Sequence, residues 1–147
     1  MPYAYSFIDT QASLTGPSGN VNLGYGSGAA EEGITIAMVT DKGVMTIGAD
    51  GSGMHSLRAT KAGTVTVRLL KTSPTNAILE AMYNAESINP AVWGNDTITI
   101  SQTGVGDLHT CNLCAFKKKP DMKYAQDGDI LEWEFNAVKV ESILGVY

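Results

Sequence analysis

The chain has 147 residues, 44% of them hydrophobic and 17% charged, and its fifteen acidic against ten basic side chains leave a formal charge of -5. That length fits a single domain, residues 1–147, with a core of its own, and the acidic balance argues against a grip on nucleic acid, which needs Lys and Arg against phosphate. No apolar run approaches the roughly 20 residues of a membrane helix, and MPYAYSFIDTQ lacks the basic and apolar regions of a secretory leader, so no membrane binding and a start in the cytosol are expected.

Sixteen glycines, well above the usual share of roughly 7%, imply many turns. Ser6 to Leu14 (SFIDTQASL) reads as a strand, TGPSGN as a turn, and Val21 to Leu23 as the returning arm of an opening hairpin. Gly24 to Gly33 (GYGSGAAEEG) reads as a flexible surface loop, because its glycines and the paired Glu31 and Glu32 bury little. Ile34, Ile36 and Met38 alternate with polar or small residues, and Val44 to Ile47 resumes the pattern after DKG, which predicts a second hairpin. Gly48 to Gly63 is polar, glycine-rich and too long for a tight turn; it should project as a long loop or ribbon.

The most informative stretch is GTVTVRLLKTSPTNAILEAMYN, Gly63 to Asn84, a strand running without a spacer into a helix. Val65, Val67 and Leu69 alternate with Thr64, Thr66 and Arg68, giving one buried face. Ser73 suits an N-cap, Pro74 the first helical position, and Ala77, Ile78, Ala81 and Met82 recur on one helical face. Strand character returns at Thr97 to Ser101, Leu108 to Lys117 and Asp129 to Val140. In the last of these Leu131, Trp133, Phe135 and Ala137 form one face and Glu132, Glu134 and Asn136 the other. The fold class is therefore mainly β, a sandwich or barrel with one flanking α-helix.

Chemistry-bearing clusters are sparse. His109, Cys111 and Cys114 in HTCNLC, with a distant His55, supply zinc-ligand types. Two thiols three apart on an extended strand should point to opposite faces, and no second CxxC or helix N-terminus supports a metal or redox pair. Ordinary reduced strand cysteines, with no metal and no cofactor, are expected. Glu132 and Glu134 read as a solvated strand face before they read as paired catalytic acids. Lys117, Lys118, Lys119 and Lys123 in FKKKPDMK read as a solvated turn, or as an edge that pairs with acidic residues of a neighbouring subunit.

The Gly63–Asn84 stretch resembles a segment of the tail tube proteins of contractile-tailed bacteriophages, in which a strand ends in an LK-T-SP-N joint and a helix follows. EEGITIAMVTDKGVMTIGADGSGMHSL, NDTITIS, CAFKKKPDMKYAQDGDILEWEFNA and the terminal ILG extend the likeness over most of the chain. The resemblance implies a non-catalytic virion subunit, assembled in the host cytoplasm, whose hexameric rings stack into a hollow tube. It further implies a tail sheath outside and the tape measure protein and DNA passing transiently through the lumen.

By the same analogy Gly48 to Gly63 would reach an adjacent ring, with Asp50, Met54, His55, Leu57 and Arg58 as the stacking residues. The amino-terminal and Gly24 to Gly33 segments would make further contacts, and the helix from Pro74 to Asn84 would face the sheath. Six copies at -5 carry a formal -30 per ring, and Glu132 and Glu134 are the candidates to line an acidic lumen that repels phosphate. The alternatives are a type VI secretion-like tube subunit, a monomeric β-sandwich module binding carbohydrate, and an enzyme built on His109 and the two thiols.

Overall fold

The computed structural model describes residues 4–146, with every side chain among them but that of Glu32. Among the described residues a short 3-10 helix (Phe7–Asp9) is followed by nine strands and one α-helix in the order β1 (Thr10–Gly16), β2 (Gly19–Asn22), β3 (Ala29–Met38), β4 (Gly43–Ile47), β5 (Gly53–Leu57), β6 (Gly63–Leu70), α1 (Thr75–Ser87), β7 (Asp96–Gln102), β8 (Asp107–Lys118) and β9 (Ile130–Ile143). Seven strands form one antiparallel sheet in the order β2-β1-β7-β8-β9-β6-β3, curled into a half-barrel; β4 and β5 form a separate two-stranded ribbon.

The curl follows from which face is apolar. Val65, Val67 and Leu69 of β6 stand beside Phe135, Trp133 and Leu131 of β9, and all six are buried. Leu14 of β1 and Ile98 of β7 extend the same face. Burying each such side chain stabilises the chain by about 1.5–3 kcal/mol, so the sheet wraps this face and leaves Thr64, Thr66, Glu132 and Glu134 on the other. Phe116 sits at the centre of an aromatic cluster, 4.8 Å from Phe135, 5.9 Å from Trp133 and 5.5 Å from Tyr83 of the helix. The helix thus covers the core face.

Four expectations are corrected. Gly24 to Gly33 is not all loop: β3 begins at Ala29, where Ala30 is buried, while the Glu32 side chain lies outside the described residues. The second hairpin does not form as read, because β3 pairs with β6 and β4 pairs with β5. The buried helical stripe is Thr75, Leu79, Met82 and Glu86, whereas Ala77, Ile78 and Ala81 face solvent; both stripes have helical spacing, and only the position of the sheet decides between them. Cys111 and Cys114 point the same way. The β7–β8 register shifts between Asp96 and Ile98, and Leu113 takes φ 53, so the bulge resets the period-2 alternation and buries both thiols.

The strand-to-helix joint is held by its own polar groups. Ser73 Oγ accepts from Thr75 N at 3.2 Å and donates to the Ser27 carbonyl, so this side chain ties the helix start to the β2–β3 connection. The N-cap position falls on Pro74, one residue after Ser73, the expected cap, and Thr75 is the first helical residue. Asn76 Nδ2 donates to the Leu70 carbonyl at 2.8 Å and closes the turn back onto β6.

Candidate assembly surfaces

The β4–β5 ribbon is exposed over its full length. Its register places Met45 opposite His55 and Ile47 opposite Gly53, so Met45, Ile47, His55 and Leu57 share one face while Val44 and Met54 lie on the other. Leu57 is 83% exposed, and Val44, Met45, Ile47 and Met54 are exposed as well. A lone two-stranded ribbon is marginal in water, and apolar side chains on both faces need a partner surface.

The tip is rigid. Gly48 N donates to the Ser52 carbonyl at 2.7 Å, Gly51 adopts φ 88, and Asp50 Oδ1 accepts from Ser52 N at 3.1 Å and Ser52 Oγ at 2.6 Å. The Ser52 hydroxyl, then its backbone N–H, hold the Asp50 carboxyl below its ordinary value. At the base, Arg58 N donates to the Lys42 carbonyl at 2.9 Å. Asp50, Met54, His55 and Leu57 therefore belong to one projecting unit with Arg58 at its base, but that unit is Gly43–Leu57 and not Gly48 to Gly63: Gly63 is buried in β6, opposite Ala137. Sequence reading missed Met45 and Ile47 as members. The turn residues GADG between two apolar alternations were the signal for this pairing.

Among the described residues two sheet edges remain unpaired, β2 on one side and β3 on the other. Beside β3 an apolar groove of about 430 Å³ opens between Phe7, Ile34, Ile36 and Ile100. On the face away from the core, Glu132 and Glu134 lie across from Arg68 and Thr66 of β6. Arg68 Nε is 3.8 Å from Glu132 Oε2, and Arg68 also donates to Thr35 Oγ1 at 2.9 Å. The two acids are on the same face, but Glu132 has a counter-charge.

The lysine run is less free than expected. Lys119 pairs with Glu80 of the helix, and Lys118 lies 3.7 Å from Asp121, so two of its charges have partners within the chain. His109 shares a 2.7 Å hydrogen bond with Ser142 on the surface, while burial pushes the Cys111 thiol up and Cys114 to about 12. Among the described residues no three His, Cys, Asp or Glu side chains are grouped to hold a metal.

A family model described as bacteriophage PhiTE tail tube protein matches residues 3–145. Among solved structures, the chain is similar to one in the sheath-tube complex of an extracellular contractile injection system, PVC, in its extended state, at 12% identity and TM-score 0.63, covering 97% of this chain and 93% of that one. It is similar to the tube-terminating cap of the anti-feeding prophage at 16% identity and TM-score 0.60, covering 99% and 94%. It is also similar to a chain of the PVC sheath/tube terminator in the extended state at 14% identity and TM-score 0.60, covering 97% and 98%. At these identities the likeness is one of fold. A comparison with curated proteins finds no match.

Proposed function

This chain belongs to the bacteriophage PhiTE tail tube protein family and is a structural subunit of a tail tube; from that membership we propose that six copies close into a ring and that rings stack through the β4–β5 ribbon. The single observation that carries the stacking is that ribbon, whose apolar side chains are exposed on both faces and have no counterpart in the body of the subunit. Ring closure uses the two free edges: β2 of one copy and β3 of the next continue the sheet, and six-fold closure ends the series.

The radial order follows from the two sheet faces. Helix α1 covers the core face and Glu132 and Glu134 occupy the opposite one, so an acidic face toward the lumen turns the helix outward to a tail sheath. The exposed Ala77, Ile78, Ala81 and Ile88 then offer the sheath an apolar ridge. A net negative wall repels the phosphates of DNA that follows the tape measure protein through the lumen. The subunit acts by shape and field, as a virion component assembled in the host cytoplasm, with no catalytic step.

Negative-stain microscopy of the purified full chain tests this. Rings and tubes are expected from the natural sequence, and folded particles that do not stack from a variant with Met45, Ile47, Met54 and Leu57 all replaced by Ser. Dispersed monomers at every concentration would refute assembly, and ordinary long tubes from the variant would refute the ribbon's role.

A further inference from the structure

Where the C-terminal half of α1 meets the β1–β2 turn and the start of β7, two carboxyl groups are sealed from solvent. Glu86 is 1% exposed and Asp96 0%. Glu86 Oε2 accepts from Ser18 Oγ at 2.7 Å, but Glu86 Oε1 and both Asp96 oxygens receive no hydrogen bond from any donor among the described residues. Gly16 forms a wall against Asp96: a Cβ there would overlap Asp96 Oδ1. Two bare carboxylates sealed together repel each other while burial strips both of solvation, so the doubly charged state is disfavoured.

We propose that Glu86 and Asp96 bind one proton between them, making an acid pair that fastens the C-terminal half of α1 to β7 and the β1–β2 turn. The proton turns one acceptor into a donor, so that two of the three orphaned oxygens become partners. Burial first, then the neighbouring Glu86 carboxyl, raise Asp96 to about 8, which keeps the pair protonated at neutral pH. The groups facing it are Glu86 from the helix, the neutral Ser18 hydroxyl from the turn, and Cys114 from β8, whose own raised pKa leaves it uncharged. No cationic side chain contributes to the Asp96 shift. Titration belongs to the two carboxyls jointly. When the proton leaves, two negative charges face each other without solvent and the helix end separates from the turn. This inference does not depend on the tube reading.

Infrared spectroscopy of the full chain across a pH series tests it, in monomer or tube alike. A buried, protonated carboxyl C=O band is expected at neutral pH, lost as the pH passes about 8, and lost at neutral pH in both Glu86→Gln and Asp96→Asn, whose amides donate without a proton from solvent. The wild-type titration stands by itself should either variant fail to fold. Absence of the band in wild type at neutral pH overturns the proposal, as does stabilisation by added calcium or magnesium that Asp96→Asn abolishes, which would put a cation in the proton's place.

Discussion

The indole Nε1–H of Trp133 donates to Oδ1 of Asn76 across 3.1 Å, joining the first part of β9 to the first turn of α1. Trp133 is fully buried, so its N–H has to find a protein acceptor, and the joint after β6 delivers one. Replacing Asn76 by Leu removes that acceptor and should cost about 1–3 kcal/mol, the penalty of an orphaned buried donor. Asn76→Asp keeps an acceptor and loses the donations to the Leu70 and Lys71 carbonyls, which lie at the partly exposed joint, so its cost should be smaller. Urea unfolding followed by tryptophan fluorescence ranks the variants; an Asn76→Leu protein as stable as the natural one would contradict the assignment.

Gly16→Ala should destabilise the chain by about 1–3 kcal/mol, the usual range for forcing extra atoms into a packed site. The new methyl group overlaps Asp96 Oδ1, so Asp96→Ala in the same chain should recover part of the loss. A double-mutant cycle by thermal unfolding measures the coupling, and simple additivity of the two changes would show that they do not meet.

Stability should fall with rising pH through Asp96. Its folded value of about 8 lies above the ordinary 3.8, so the folded chain holds the proton more tightly than the unfolded chain. The contribution is complete below 3.8, declines as pH rises toward about 8, and is lost above it. Denaturant midpoints across that range should fall for the natural chain and stay flatter for Asp96→Asn; parallel curves would exclude the pair as the source.

Neither thiol should react while the chain is folded. Cys111 and Cys114 are both buried, and burial raises both pKa values, Cys114 to about 12. A disulfide-exchange reagent at mildly alkaline pH should label none in native protein and both of the two cysteines after denaturation. Rapid native labelling would mean that the β7–β8 bulge opens.

Charge reversal at Glu132 and Glu134 locates the lumen. Both are surface positions, so Glu132→Lys with Glu134→Lys should leave tubes intact while changing the field they line. At low salt such tubes should retain single-stranded DNA that a nuclease cannot reach, and natural tubes should retain none. DNA that stays nuclease-sensitive would place these residues on an outer surface.

Much of the body was legible along the chain. Strict alternation in β6 and β9 marks buried faces because a strand's side chains repeat every two residues, and the structure keeps Leu131, Trp133, Phe135 and Ala137 inside as read. The projecting segment was visible as a stretch too polar and glycine-rich to pack, yet its true arms, β4 and β5, were assigned to different structures. Alternation reveals that a segment is a strand and leaves its partner open, since pairing is decided by residues far apart.

By itself the order of residues determined a mainly β chain with one helix fed by a core strand, and the family motifs that ride on it. Only the folded chain decided that β3 joins β6, that the helix turns Leu79 inward beside Met82 while Ala77 and Ile78 face out, and that a bulge at Leu113 brings both cysteines to one face. It alone set Glu86 beside Asp96 under Gly16. The reason is physical: periodicity is a local property of the backbone, whereas burial, register and the pairing of charges depend on which distant surfaces exclude water together.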